Sequence, residues 1–171
     1  MDLAKTMRRA ALGVVAAFAA ACSPVDAAQE TPAAPEAEAK PARHPTSGLT
    51  LIDVTVMRGA KPIIFTTELA NTPEAQARGM MFRTEMGDDE GMLFPSDEPA
   101  LRSFWMKNTP LPLDIIFIGV DGRISNIEAG VPYKLESVSS QGAAIAVFEI
   151  RGGLSEELGI VPGDEVVWDL P

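Results

Sequence analysis

Residues 114–120 (DIIFIGV) constrain the fold of this chain more than any other feature. The run is apolar at successive positions rather than alternating ones. As a strand it would therefore be hydrophobic on both faces, which only a strand in the middle of a covered sheet can be. The flanking residues repeat the strand theme. Residues 49–57 and 62–70 are rich in Ile, Val, Thr and Leu, and residues 58–61 (RGAK) between them read as the turn of a hairpin. Residues 91–94 and 101–107 read as further strands. Asp121-Gly122 is a hairpin signal after which residues 123–131 pair back, residues 143–150 form another buried strand, and residues 165–170 form the last. Two short helices interrupt the strands. Thr72-Pro73-Glu74 supplies an N-cap, a first-turn proline and a carboxylate at the positive dipole end, with Gly79 as the stop. Residues 154–158 form the second helix, ended by Gly159. The expected fold is mostly β, a β-rich α+β domain built on an antiparallel or mixed sheet, either barrel-like or curved.

The N-terminal part is of another kind. Lys5, Arg8 and Arg9 precede a 12-residue apolar stretch, residues 10–21, too short for a stable membrane span and suited to an export signal. Ala19-Ala20-Ala21-Cys22 resembles a bacterial lipobox, with Cys22 as the lipidated residue; it departs from the usual pattern at Ala19, where leucine is common. Cleavage at a small-residue site such as Val25-Asp26-Ala27 is the alternative. Residues 23–47 hold Pro24, Pro32, Pro35, Pro41 and Pro45 among Ala and Glu, without apolar periodicity, and read as a disordered spacer. The expected layout is thus a signal over residues 1–22, a linker over 23–47 and one domain over 48–171. The protein would be exported to the periplasm or cell envelope and anchored to the membrane through lipid.

Charge and inventory exclude several chemistries. The formal net charge is −10; residues 1–22 contribute +2, so the remainder carries −12. A domain this acidic repels phosphate backbones, and nucleic acid is not an expected partner. The single cysteine is Cys22 and the single histidine is His44, both ahead of Gly48. A domain starting there has no Cys nucleophile, no Ser-His-Asp triad and no His- or Cys-based zinc site. No cofactor is expected.

Residues 104–114 (FWMKNTPLPLD) carry the most chemistry. Strand alternation places Phe104 and Met106 on the core face, Trp105 and Lys107 on the other. Pro110 and Pro112 fix two φ angles and hold their predecessors extended, giving a stiff ribbon towards Asp114. These residues, with blocks elsewhere, carry a resemblance to a known family. They are Glu68-Leu69-Ala70, residues 78–83 (RGMMFR), residues 91–94 (GMLF), residues 104–109 (FWMKNT), Pro112-Leu113-Asp114, Phe148-Glu149-Ile150 and Gly163-Asp164. Together they resemble domain-of-unknown-function family 192 across about residues 50–169. The resemblance implies a compact β-rich domain, often exported, with no established general activity. Where the family typically has Pro-Ala-Gly, this chain has Arg151-Gly152-Gly153.

Three functional readings follow. In the first, the domain is a binding module for a small polar or glycan-like ligand: Trp105 offers a stacking face, and Glu68, Arg83, Lys107, Asn108 and Asp114 supply polar contacts. In the second, two of Glu68, Asp114 and Glu149 pair as the carboxylates of a glycoside hydrolase. A Ser103–Lys107 pair is set aside, because residues four apart on a strand lie roughly 13 Å apart. In the third, Met80, Met81, Met86, Met92 and Met106 bind Cu(I), although methionine is more often a core filler. A purely structural role for the motif competes with all three. The acidic run Glu85, Asp88, Asp89 and Glu90 does not have calcium-loop spacing and reads as a solvated loop.

Overall fold

The computed structural model describes residues 42–171. The expected signal segment with Cys22, and the linker up to residue 41, lie outside the described residues. The hairpin forms as the sequence suggests: β1 (Leu51–Arg58) pairs antiparallel with β2 (Lys61–Leu69), Arg58 facing Lys61 across the Gly59-Ala60 turn. Helix α1 (Pro73–Arg78) follows, with Thr72 Oγ1 accepting the Ala75 N–H and Gly79 at its end. Next come β3 (Glu90–Ala100), the two-residue β4 (Ser103–Phe104), β5 (Leu113–Gly119), β6 (Ile124–Gly130), the two-residue β7 (Val138–Ser139), β8 (Ala144–Arg151), α2 (Leu154–Leu158) and β9 (Glu165–Trp168).

Seven strands form one mixed sheet in the order β6-β5-β8-β3-β2-β1-β9. β5 lies between β6 and β8, and every one of its residues is buried, as the unbroken apolar run requires. The pair β2–β3 is parallel, because α1 carries the chain from the end of β2 back to the start of β3. The sheet is curved but not closed into a barrel. Its edge strands meet at one corner only, through an Arg123–Glu165 bridge and backbone bonds such as Val166 N–H to Gly122 O.

Alternation divides the core between the two faces of the sheet. Val54, Phe65, Leu93, Ile116, Phe148 and Ile150 pack on one, closed over by α2 through Leu154. Met92, Phe94, Leu113, Ile115, Phe117 and Val147 pack on the other. That second face is covered by the turn after α1, which brings Met80, and by the segment after β4, which brings Met106. The expected strand over residues 101–107 is thus only Ser103–Phe104. The chain then turns at Lys107-Asn108, with Thr109 N–H bonded back to Met106 O, and the expected stiff ribbon is instead a fold-over cap on the sheet.

Residues 42–47, read from sequence as the end of the linker, lie against the sheet. Leu51 N–H bonds Ala42 O, Arg43 bridges Thr50, and Ser47 Oγ donates to Glu68. No helix among the described residues is long and apolar enough to cross a membrane.

Candidate functional site

The face carrying Met92 also carries two carboxyl side chains, Glu68 and Glu149. Opposed residues in neighbouring strands share a face, and the register aligns Glu68 with Met92, Met92 with Glu149 and Glu149 with Ile115. Glu149 thus projects from β8 into an apolar layer, beneath the turn after α1 and the 104–109 segment. It is 4% exposed, and its Oε2 has no hydrogen-bond partner among the described residues. Desolvation raises its pKa from 4.5 to about 8, so the carboxyl is neutral at ordinary pH.

Glu149 lines a pocket of about 40 Å³. Residues 78–81 reach it from the end of α1, Phe94 from β3, and residues 104–106 with Thr109 from the covering segment. Three blocks far apart in sequence, all among those that carry the family resemblance, converge on the buried carboxyl of a fourth. Trp105 stands at the pocket at 48% exposure, with the Lys107 Nζ over its ring at 5.0 Å. The exposed placement of both, and the inward placement of Phe104 and Met106, match the alternation.

Beside the pocket is a second cleft, of about 370 Å³, lined by Phe82, Thr84, Asn108, Pro110 and Tyr133. Three of these, Phe82 (φ 65°), Asn108 (φ 55°) and Tyr133 (φ 62°), are the non-glycine residues with positive φ among the described residues. The left-handed region is costly for aromatic side chains, about 1–3 kcal/mol each. Phe82 and Tyr133 are nevertheless 67% and 63% exposed, so core packing does not hold them there. Backbone bonds do: Phe82 N–H to Asn108 O at 2.8 Å and Tyr133 N–H to Thr109 O at 3.2 Å. The strained residues thus sit next to the pocket in the chain, Phe82 after Met81 and Asn108 before Thr109.

The other sequence-derived candidates separate by location. Arg83 Nη2 donates to both oxygens of Glu68, at 2.5 and 2.6 Å, in a largely buried pair. His44 joins it, Nδ1 lying 3.3 Å from Arg83 Nη2 and 3.6 Å from Glu68 Oε2. The histidine expected to stand apart from the domain is therefore packed on it. Ser47 donates to Glu68 and its Oγ has no bond to His44, so the group does not form a nucleophile–base pair. Arg83 and Ser47 line a neighbouring cleft of about 420 Å³.

Asp114 lies on the opposite face of the sheet from Glu149, aligned with Ile150. It accepts the N–H of Gly153 at 2.9 Å and of Ser155 at 2.8 Å, and the Ser155 hydroxyl. Gly153 offers α2 no side-chain cap, and Asp114 caps it from β5. Arg151, where the family pattern differs, binds Asp88 Oδ1 at 2.5 Å and Glu157 Oε2 at 2.8 Å. Its pKa is held further above the usual range by the bond to Glu157 and then by that to Asp88.

These placements bear on the two alternative chemistries. Asp114 cannot pair with Glu149 through the sheet. Glu68 and Glu149 share a face, two strands and about 10 Å apart, but the buried Met92 stands between them in the row. Met80, Met92 and Met106 are packed in the core, and the Met106 Sδ lies against Gly130, where an added Cβ would be 2.8 Å away.

The sequence model of the DUF192 family, described as an uncharacterized ACR, matches residues 54–168. A crystal structure of a protein of unknown function from Novosphingobium aromaticivorans is similar at 50% identity and a TM-score of 0.73, covering 77% of this chain and 94% of that one. A second crystal structure, of a putative transcription regulator from Sinorhizobium meliloti, is 35% identical with a TM-score of 0.67, covering 70% of this chain and 95% of that one. No curated protein matches.

Proposed function

The chain belongs to the DUF192 family, which supplies a fold without an assigned activity, and from that premise we propose that the domain is a binding module for a small polar or glycan-like ligand. The observation that carries this is the convergence of the family's separated blocks on the pocket over Glu149. A buried carboxyl without a partner costs stability, and a ligand that brings a complementary group beside it in the pocket offsets that cost. Trp105 gives the ligand a face to stack on, and Asn108 with the strained Phe82 and Tyr133 extends the surface past the pocket. Lys107 holds the Trp105 ring from outside.

We place the module in the cell envelope, exported and held by lipid at Cys22. Mass spectrometry of the mature N-terminus tests this; a peptide beginning after Cys22 and free of lipid removes the anchor. The description of the Sinorhizobium protein is not carried over, because a net charge of −10 opposes contact with a phosphate backbone.

The binding test titrates soluble fragments of cell-envelope glycan into the full chain. Amide signals of residues 104–109 and of Glu149 should move at millimolar ligand or below, and Trp105→Ala should weaken binding about tenfold or more. A spectrum that stays still across that range refutes the module.

A further inference from the structure

We infer that the pocket over Glu149 takes a primary ammonium group, so that the module's ligand is an amine-bearing sugar rather than a neutral one. This rests on the pocket being the ligand site. The carboxyl of Glu149 lines the pocket while its Oε2 is closed off from solvent without a partner, and an ammonium group beside the carboxyl offers it a compensating charge. The rings of Phe94, Phe104 and Trp105 border the same space, and aromatic faces attract cations. The volume, about 40 Å³, has room for an ammonium head, whereas a neutral N-acetyl group brings no charge to the carboxyl.

The charged surroundings are simple. In its row Glu149 faces Met92 from β3 and Ile115 from β5, both apolar. The pocket is lined with it by Trp105, Met106 and Thr109 of the covering segment and by Gln76 and Arg78 at the end of α1. Among the described residues that line the pocket with Glu149, Arg78 carries a charge; it is exposed, and water screens its repulsion. Lys107 lies over Trp105. Amine binding ionises Glu149, which carries its proton up to about pH 8, so each amine bound below that pH releases one proton to solvent.

The test titrates the full chain with glucosamine, N-acetylglucosamine and methylammonium chloride at about pH 8 and about pH 6, with sodium chloride as the ionic-strength control. Amides of Glu149 and Trp105 are followed. Glucosamine and methylammonium should shift them and N-acetylglucosamine should not, with methylammonium affinity roughly fiftyfold weaker at the lower pH. Glu149→Gln, which matches the neutral acid in shape, should abolish the response and leave the rest of the spectrum in place. Trp105→Ala should weaken glucosamine more than methylammonium. Binding that survives in Glu149→Gln, or an equal response to sodium chloride, overturns the inference. A response to N-acetylglucosamine without one to either amine overturns it and leaves the module intact. A response to methylammonium alone keeps the ammonium site and removes the sugar, and silence from all three removes both.

Discussion

Glu149→Gln gives the sharpest stability prediction. The glutamate pKa is raised from 4.5 to about 8 in the folded protein, through burial. Between those values the folded protein keeps a proton that the unfolded chain has lost. The stability is therefore fully present below pH 4.5 and falls as pH rises towards 8, by about 1.4 kcal/mol per pH unit. By pH 7 the loss amounts to about 3 kcal/mol. Glutamine is neutral throughout and fills the same space. In urea unfolding the two proteins should lie within about 1 kcal/mol at acid pH, and the variant should be more stable by about 3 kcal/mol at neutral pH, with m unchanged. Other titrating groups cancel in the difference between the two proteins. Parallel pH curves would refute the reasoning, since they would mean that the Glu149 carboxyl is not held neutral by burial.

Three further outcomes can be read by the same method. Asp114→Asn replaces an oxygen that accepts from Gly153 or Ser155 with a donor, and should cost about 2–3 kcal/mol; a loss under about 0.5 kcal/mol would show that α2 does not depend on this cap. Lys107→Ala removes an exposed cation from the Trp105 ring and should change stability by no more than about 0.5–1 kcal/mol, the value of an exposed cation–π contact. Gly91→Ala would set a Cβ 2.4 Å from Phe148 Cε2 and 3.1 Å from the Glu149 carbonyl, inside a strand paired on both sides, and should cost about 1–3 kcal/mol. A thermal midpoint unchanged in Gly91→Ala would contradict the packing of β3 on β8.

Much of the fold was legible because its signals are local. The unbroken apolar run 114–120 demanded a central strand, and β5 is one. Thr72-Pro73 announced α1, Asp121-Gly122 the β5–β6 hairpin, and residues 154–158 the helix α2. Each depends on periodicity or capping within a few residues, where backbone sterics and hydrogen bonding act. The parallel pairing of β2 with β3 was not legible, since both strand directions have the same alternation.

The site divided the same way. Alternation alone put Trp105 and Lys107 outward and Met106 inward. Glu149 was visible as a carboxylate in an apolar strand, and the 104–109 segment as the stretch richest in chemistry. Its isolation came from Met92 and Ile115 beside it and from two distant segments folded over it. Phe82 and Tyr133 gave no signal, because their left-handed backbone is imposed by bonds to Asn108 and Thr109. His44 reached Glu68 and Arg83 because residues 42–44 pair back on residues 49–51 ahead of and at the start of β1. Asp114 looked like a site residue and became a cap, because the chain returns 39 residues later to present the Gly153 amide. The sequence by itself determined most of the sheet's strands and, through alternation, which of their side chains face the core. The tertiary structure decided which carboxylate is paired and which is left without a partner, because desolvation and hydrogen bonding depend on neighbours that strand register, not sequence proximity, brings together.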